Sequence, residues 1–225
     1  HGSFETPAFI PVIHPVKQTI TPQFLKALGF NAVITNAYIT LRHYGDETRK
    51  RGIHDITRYD GVIMTDSGGY QVLEYGSIDV EPTVIAKFEK DIRSDISVPL
   101  DKPTGYGLKY EKAKDYVEQT LKNARETLNI IEEGRESKRI KNNTGNEYYN
   151  DDDDINGTIW VEPIQGAEHS DLVKYSADAL DKMGFNLLAI GSPVELMEAY
   201  EFSLLAHMIA TVKRTIPAKP IHLFG

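Results

Sequence analysis

The 225-residue chain is 40% hydrophobic and 26% charged with a formal net charge of −8, the composition of a globular protein able to bury one substantial core. It contains no cysteine, which excludes disulfides and thiolate metal sites within these residues, and its seven histidines are scattered without a His-x-x-x-His pair. The acidic balance argues against a bare nucleic-acid-binding module, and no apolar stretch approaches the roughly 20 residues that span a bilayer.

The first residues, His1–Glu5, show neither the basic start nor the apolar run of a signal peptide, and without an initiating Met the natural N-terminus is expected upstream. Seven short β-rich runs follow in order: Ala8–Val12, Ala32–Thr35, Val62–Thr65, Ile96–Leu100, Thr158–Val161, Leu187–Ile190 and Ile221–Phe224. Between them lie amphipathic stretches at Thr21–Leu28, Glu81–Arg93, Lys109–Glu133, Ser170–Met183 and Pro193–Thr215. Thr21-Pro22 and Ser192-Pro193 read as helix starts, a hydroxyl cap followed by proline at the first helical position. Gly29 and Gly184 stand where helices should end. The tract Lys138–Gly157 is polar and charge-blocked, with Asp151–Asp154 carrying half of the net charge, and reads as a mobile surface insertion in an otherwise mildly acidic domain.

Alternation of strands and helices implies a parallel sheet, and the continuously apolar strands suit a sheet covered on both faces. Seven such strands fit a doubly wound sheet or most of an eight-stranded α/β barrel. No glycine-rich phosphate loop marks a switch point. Instead, nearly every strand ends in a residue able to bind or react: Asn36, Asp66, Asp101, Gln165, Gly191-Ser192 and Gly225. Barrels of this kind place their sites at the C-terminal strand ends, so a (β/α)8 TIM-type barrel with about seven of its eight strands is expected. An open seven-stranded barrel would leave exposed edges, so the domain at 1–225 is expected to be incomplete at Gly225.

The run Thr65-Asp66-Ser67-Gly68-Gly69-Tyr70-Gln71 carries the sharpest signal: an apolar strand ending in a carboxylate, a glycine turn, then a ring. Helix capping by Asp66 or Ser67 explains the local pattern equally well. Taken with the other strand ends, the residues suit a purine pocket. An ionised Asp101 could accept the paired N–H donors of a guanine edge, while Gln165 and a backbone amide at Gly191-Ser192 could meet its carbonyl side. Tyr70 could stack on the base, and Asp66 would remain for work at the sugar, as nucleophile or as acid/base.

In these strings the chain resembles the tRNA-guanine transglycosylases. The resemblance runs through Thr6–Val12, Asn36-Ala37-Tyr38, Thr65–Gln71, Ser94-Asp95-Ile96 with Asp101, Ile164-Gln165-Gly166, Ser176–Leu180, Ile190–Pro193 and His222–Gly225, and passes over only Lys138–Gly157. It implies a transferase that exchanges a guanine of tRNA for a 7-deazaguanine through a covalent ribosyl-enzyme intermediate. Asp66 would be the catalytic aspartate, Asp101, Gln165, Gly191 and Ser192 would bind the base, and Tyr70 would stack. Asn36-Ala37-Tyr38, Gly191-Ser192-Pro193 and His222–Gly225 are similar to the archaeal branch, which modifies a D-loop guanine with 7-cyano-7-deazaguanine (preQ0) in archaeosine biosynthesis. The resemblance further implies a second aspartate and a structural zinc site C-terminal to Gly225, a cytoplasmic enzyme, tRNA as partner and a homodimer. Set against this reading is a paralogue that binds tRNA without base exchange, or acts later in the pathway.

Overall fold

The strands form where apolar, largely β-branched runs lie between helical segments, and the tertiary arrangement stacks them in one parallel sheet. The computed structural model describes residues 2–69, 80–137, 139–141, 147–149 and 157–225. Strands β1 (Ala32–Asn36), β2 (Val62–Asp66), β3 (Ile96–Val98), β6 (Ile159–Ile164), β7 (Leu187–Ile190) and β8 (Ile221–Leu223) run in that order across a six-stranded parallel sheet. The sheet curls, with helices on its outer face, as part of a TIM-type barrel. Ile34, Met64, Val98, Val161 and Ala189 fill the inner side, whereas Val33, Ile63, Trp160, Ile164, Leu188 and Ile190 face the helices. Both faces are thus buried, which accounts for the unbroken hydrophobic runs.

The segment expected as a first strand, Ala8–Val12, is corrected to a single parallel bridge between Val12 and Ile34. Ile34 N donates to Pro11 O at 2.9 Å and Ile13 N donates to Ile34 O at 2.8 Å. Pro7 and Pro11 carry no N–H, so this segment can line the edge of β1 without forming a ladder. Six strands therefore form the sheet, with one bridged segment beside them.

Helices α1 (Pro22–Ala27), α5 (Pro82–Asp91), α6 (Tyr110–Ser137) and α7 (Ser170–Lys182) lie where the amphipathic pattern predicts. Thr21 caps α1, its Oγ1 accepting from Phe24 N at 3.3 Å. The long helix expected over Pro193–Thr215 is two helices, α8 (Pro193–Glu198) and α9 (Phe202–Thr215). Tyr200, at φ 58°, closes α8 in the left-handed conformation, and Glu201 N donates to Leu196 O at 2.9 Å. Three helices went unmarked by periodicity: α2 (Ala37–Tyr44), α3 (Asp46–Arg51) and α4 (Ile53–Thr57). Each is too short for a clear amphipathic stripe, and Gly45 and Gly52 separate them.

Strand β6 extends beyond the expected Thr158–Val161 and takes in Glu162-Pro163. Pro163 is tolerated because the β3 ladder ends at Ser97 opposite Trp160, so no partner there requires its N–H. Within Lys138–Gly157 two short antiparallel strands are present, β4 (Arg139–Lys141) and β5 (Glu147–Tyr149); apart from Gly157 the remainder of that insertion lies outside the described residues. Among the described residues no helix is long and apolar enough to cross a membrane.

Candidate active site

The C-terminal strand ends open onto one cleft of about 430 Å³, a volume typical of small-molecule sites. Asn36 from β1, Asp66 from β2, Asp101 after β3, Pro163 from β6, Gly191-Ser192 after β7 and Phe224-Gly225 after β8 all line it. The bridged N-terminal segment adds Val12–Pro15. Of the residues singled out from sequence, Asp66, Asp101, Gly191 and Ser192 meet here. Gln165 sits just beneath them, and Tyr70 lies outside the described residues.

Asp66 is the last residue of β2, in register with Asn36 at the end of β1. Asn36 Oδ1 caps α2 by accepting from Ile39 N at 2.8 Å, which orients its amide so that Nδ2 donates to Asp66 Oδ2 at 3.2 Å. Sequence reading placed Asn36 at a strand end without giving it a role; its position as a cap immediately before α2 is the signal that identifies it. Burial pushes the Asp66 carboxyl up to about 6, against the stabilising Gly68 N–H and the Asn36 amide. A carboxyl group near that value can give and take a proton close to neutrality.

Asp101 is nearly enclosed, and Gln165 Nε2 donates to its Oδ2 at 2.5 Å. Burial, then the nearby charge of Asp66, pushes its carboxyl up to about 7. The two cleft carboxylates therefore resist ionising together. Gln165 is itself buried, its Oε1 accepting from Thr104 N and Thr104 Oγ1, each at 2.9 Å, and from Ser192 Oγ at 3.2 Å. In this arrangement the Gln165 amide positions Asp101 and Ser192 from below and does not line the cleft.

Two glycines make the close packing feasible. A Cβ at Gly69 would overlap Asp101 Oδ1, and one at Gly191 would overlap Gln165 Nε2. Ser192, at φ 56°, turns the chain from β7 into α8 and so presents Gly191-Ser192 to the cleft.

Behind the strands, on the side facing the helices, lie two further buried carboxyl groups that sequence reading did not single out. Glu89 Oε1 accepts from Thr65 Oγ1 at 2.8 Å, while both oxygens of Glu162 lack a hydrogen-bond partner among the described residues. Burial first, and neighbouring carboxylates second, hold Glu162 well above the ordinary glutamate range; burial does the same for Glu89. The described residues hold no cluster of three or more metal-ligating side chains.

Comparison with known proteins matches residues 1–225 to the family model described as queuine tRNA-ribosyltransferase. The tRNA-guanine(15) transglycosylase of Sulfolobus acidocaldarius is 40% identical over 227 residues, covering all of this chain and 41% of that protein. Those of Aeropyrum pernix and Archaeoglobus fulgidus are 37% and 36% identical, again over all of this chain, and cover 40% and 42% of the relatives. The chain thus spans about two-fifths of the length of the curated relatives it matches.

Proposed function

The chain belongs to the queuine tRNA-ribosyltransferase family, and from that premise we propose that it supplies the base-exchange pocket of a tRNA-guanine transglycosylase. The whole protein would replace a D-loop guanine of tRNA by 7-cyano-7-deazaguanine, a step of archaeosine biosynthesis. The observation that supports this best is the pair of carboxyl groups, half-buried Asp66 and buried Asp101, in one cleft at adjacent strand ends.

Ionised, Asp101 would accept the ring N–H and exocyclic amine of the purine, held at the required angle by Gln165. Gly191-Ser192 would face the carbonyl side, and Tyr70 would stack. Asp66 would stand at the sugar. There the bond from C1′ to the guanine nitrogen would break, a bond from C1′ to the second aspartate implied beyond Gly225 would form transiently, and the incoming base would displace that carboxylate. The departing guanine takes up one proton and the incoming base gives one up. A carboxyl group titrating near 6 suits this proton transfer, so the acid/base role is the one assigned to Asp66. The target nucleotide must leave its stack to reach the cleft. The structural zinc, the homodimer and the cytoplasmic location belong to the same proposal, the zinc being held by residues beyond Gly225.

Exchange of labelled guanine into tRNA by the full-length protein tests the reading. Wild type should incorporate label, and Asp66→Asn should lose at least about a hundredfold in rate. A wild-type protein that binds tRNA yet exchanges no base would instead identify the non-exchanging paralogue.

A further inference from the structure

The cleft is larger than its purine-binding end, and its far wall is the bridged segment Val12–Pro15. That segment is fixed from several sides. Ile13 N donates to Ile34 O at 2.8 Å, Thr35 Oγ1 donates to Ile13 O at 3.0 Å, and Tyr44 Oη donates to Pro15 O at 3.4 Å. The exposed residues it presents to the cleft are Val12 and His14, of which His14 alone carries a polar side chain.

The His14 ring has a determined tautomer. Its Nδ1 accepts from Val16 N at 3.1 Å and from Lys17 N at 3.0 Å. A nitrogen that accepts two backbone N–H groups carries no proton, so the neutral ring holds its hydrogen on Nε2. Ring and turn lock each other, leaving the Nε2–H edge directed away from the turn. Among the described residues that N–H has no partner.

The other polar groups of the cleft are committed differently. Asp66 and Asp101, when ionised, only accept. Thr35 donates to Ile13 O, Ser192 donates to Gln165 Oε1, and Asn36 is drawn to Asp66. His14 therefore contributes a side-chain donor to this wall that no acceptor among the described residues occupies. A ligand placing its base at Asp101 and its sugar at Asp66 must carry its remaining oxygens toward another part of the cleft. Those oxygens are acceptors, and acceptors need a donor there.

We propose that His14 Nε2–H donates to a sugar–phosphate oxygen of the nucleotide whose base enters the cleft, making His14 a substrate-binding residue for the RNA and not for the free base. The proposal rests on the base-exchange reading for the identity of that nucleotide.

The test compares His14→Asn with wild type in the full-length protein. Asn keeps an acceptor for the Val16 and Lys17 amides but removes the Nε2 donor, so the turn is retained. Binding of a guanine-containing tRNA transcript should weaken about tenfold, while the Kd of the free base stays within twofold. Two altered transcripts locate the acceptor: one with a neutral methylphosphonate beside the target nucleotide, one with a 2′-deoxyribose at it. On the transcript lacking the true acceptor, the difference between wild type and variant should shrink to within twofold. Equal tRNA affinity of the two proteins would overturn the proposal. So would a tenfold difference that persists on both altered transcripts, or an equal loss for free base and tRNA. Because binding is read without turnover, a wild type that binds tRNA but exchanges nothing sinks the proposed function while the His14 comparison still decides this assignment.

Discussion

At its N-terminal end, β2 begins beside Asp95, whose Oδ2 accepts from Ile63 N at 2.8 Å and pairs with His54 Nε2 at 3.0 Å. At its C-terminal end the same strand delivers Asp66, whose side-chain partner is one neutral amide at 3.2 Å. Burial pushes both carboxyl groups up. At Asp95 the His54 bond and the Ile63 amide outweigh it and hold the group below the ordinary aspartate range. At Asp66 burial wins and the group titrates near 6. The same residue type beside the two ends of one strand is thus a structural anchor below and, in the proposed function, the reactive group above. What separates them is the strength of the local partners, in keeping with the division of barrel faces into stability and chemistry.

Breaking the lower anchor should produce the largest change in stability. Asp95→Ala removes the acceptor that Ile63 N and His54 Nε2 share in a largely buried site. It should cost about 3 kcal/mol in denaturant unfolding of the full-length protein, with base exchange per folded molecule unchanged. Loss of exchange without loss of stability would reverse the division drawn here.

The upper end should instead respond to pH. In the proposed function Asp101 accepts the base donors as a carboxylate, and burial pushes its carboxyl up to about 7. Free-base affinity should therefore fall about tenfold for each pH unit below 7 and level off above it. Calorimetric titration between pH 5 and 8.5 reads this directly. A flat profile would mean that Asp101 does not meet the base as a carboxylate.

The smallest effect concerns the acids behind the strands. The folded state holds the Glu162 proton more tightly than the unfolded chain does, because burial raises this group. Its contribution to stability is therefore full below the ordinary glutamate range and declines as pH rises toward its folded value. Glu162→Gln removes that decline. Its melting temperature relative to wild type should rise by a few degrees between pH 5 and pH 8. A constant difference across that range would show that Glu162 ionises as freely in the fold as outside it.

Much of this organisation was legible in the sequence. Apolar runs of four or five residues marked β1, β2, β3, β7 and β8, and polar residues following them marked the cleft, because strand ends project residues beyond the packed layers. Asp66, Asp101 and Gly191-Ser192 were found this way. Other features had no local signature. The break at Tyr200 carries neither glycine nor proline, and it exists because the chain must turn from α8 into α9. Gln165 reads as a residue facing ligand, yet Thr104, Ser192 and Asp101 surround it. Its distance in sequence from Thr104 and Asp101 hides that network. His14 looked like one scattered histidine among seven until the bridge to β1 placed it on the cleft wall.

The sequence by itself determined the alternation of strands and helices, the family and the residues at the strand ends, since those follow from periodicity and from short strings of fixed order. Tertiary structure alone decided which carboxylates share an environment. A proton's affinity depends on charges, dipoles and desolvation contributed by residues far apart in the chain. Only the folded sheet brings Asp66 and Asp101 into one cleft, ties Asp95 to His54, and buries Glu162 without a hydrogen-bond partner among the described residues.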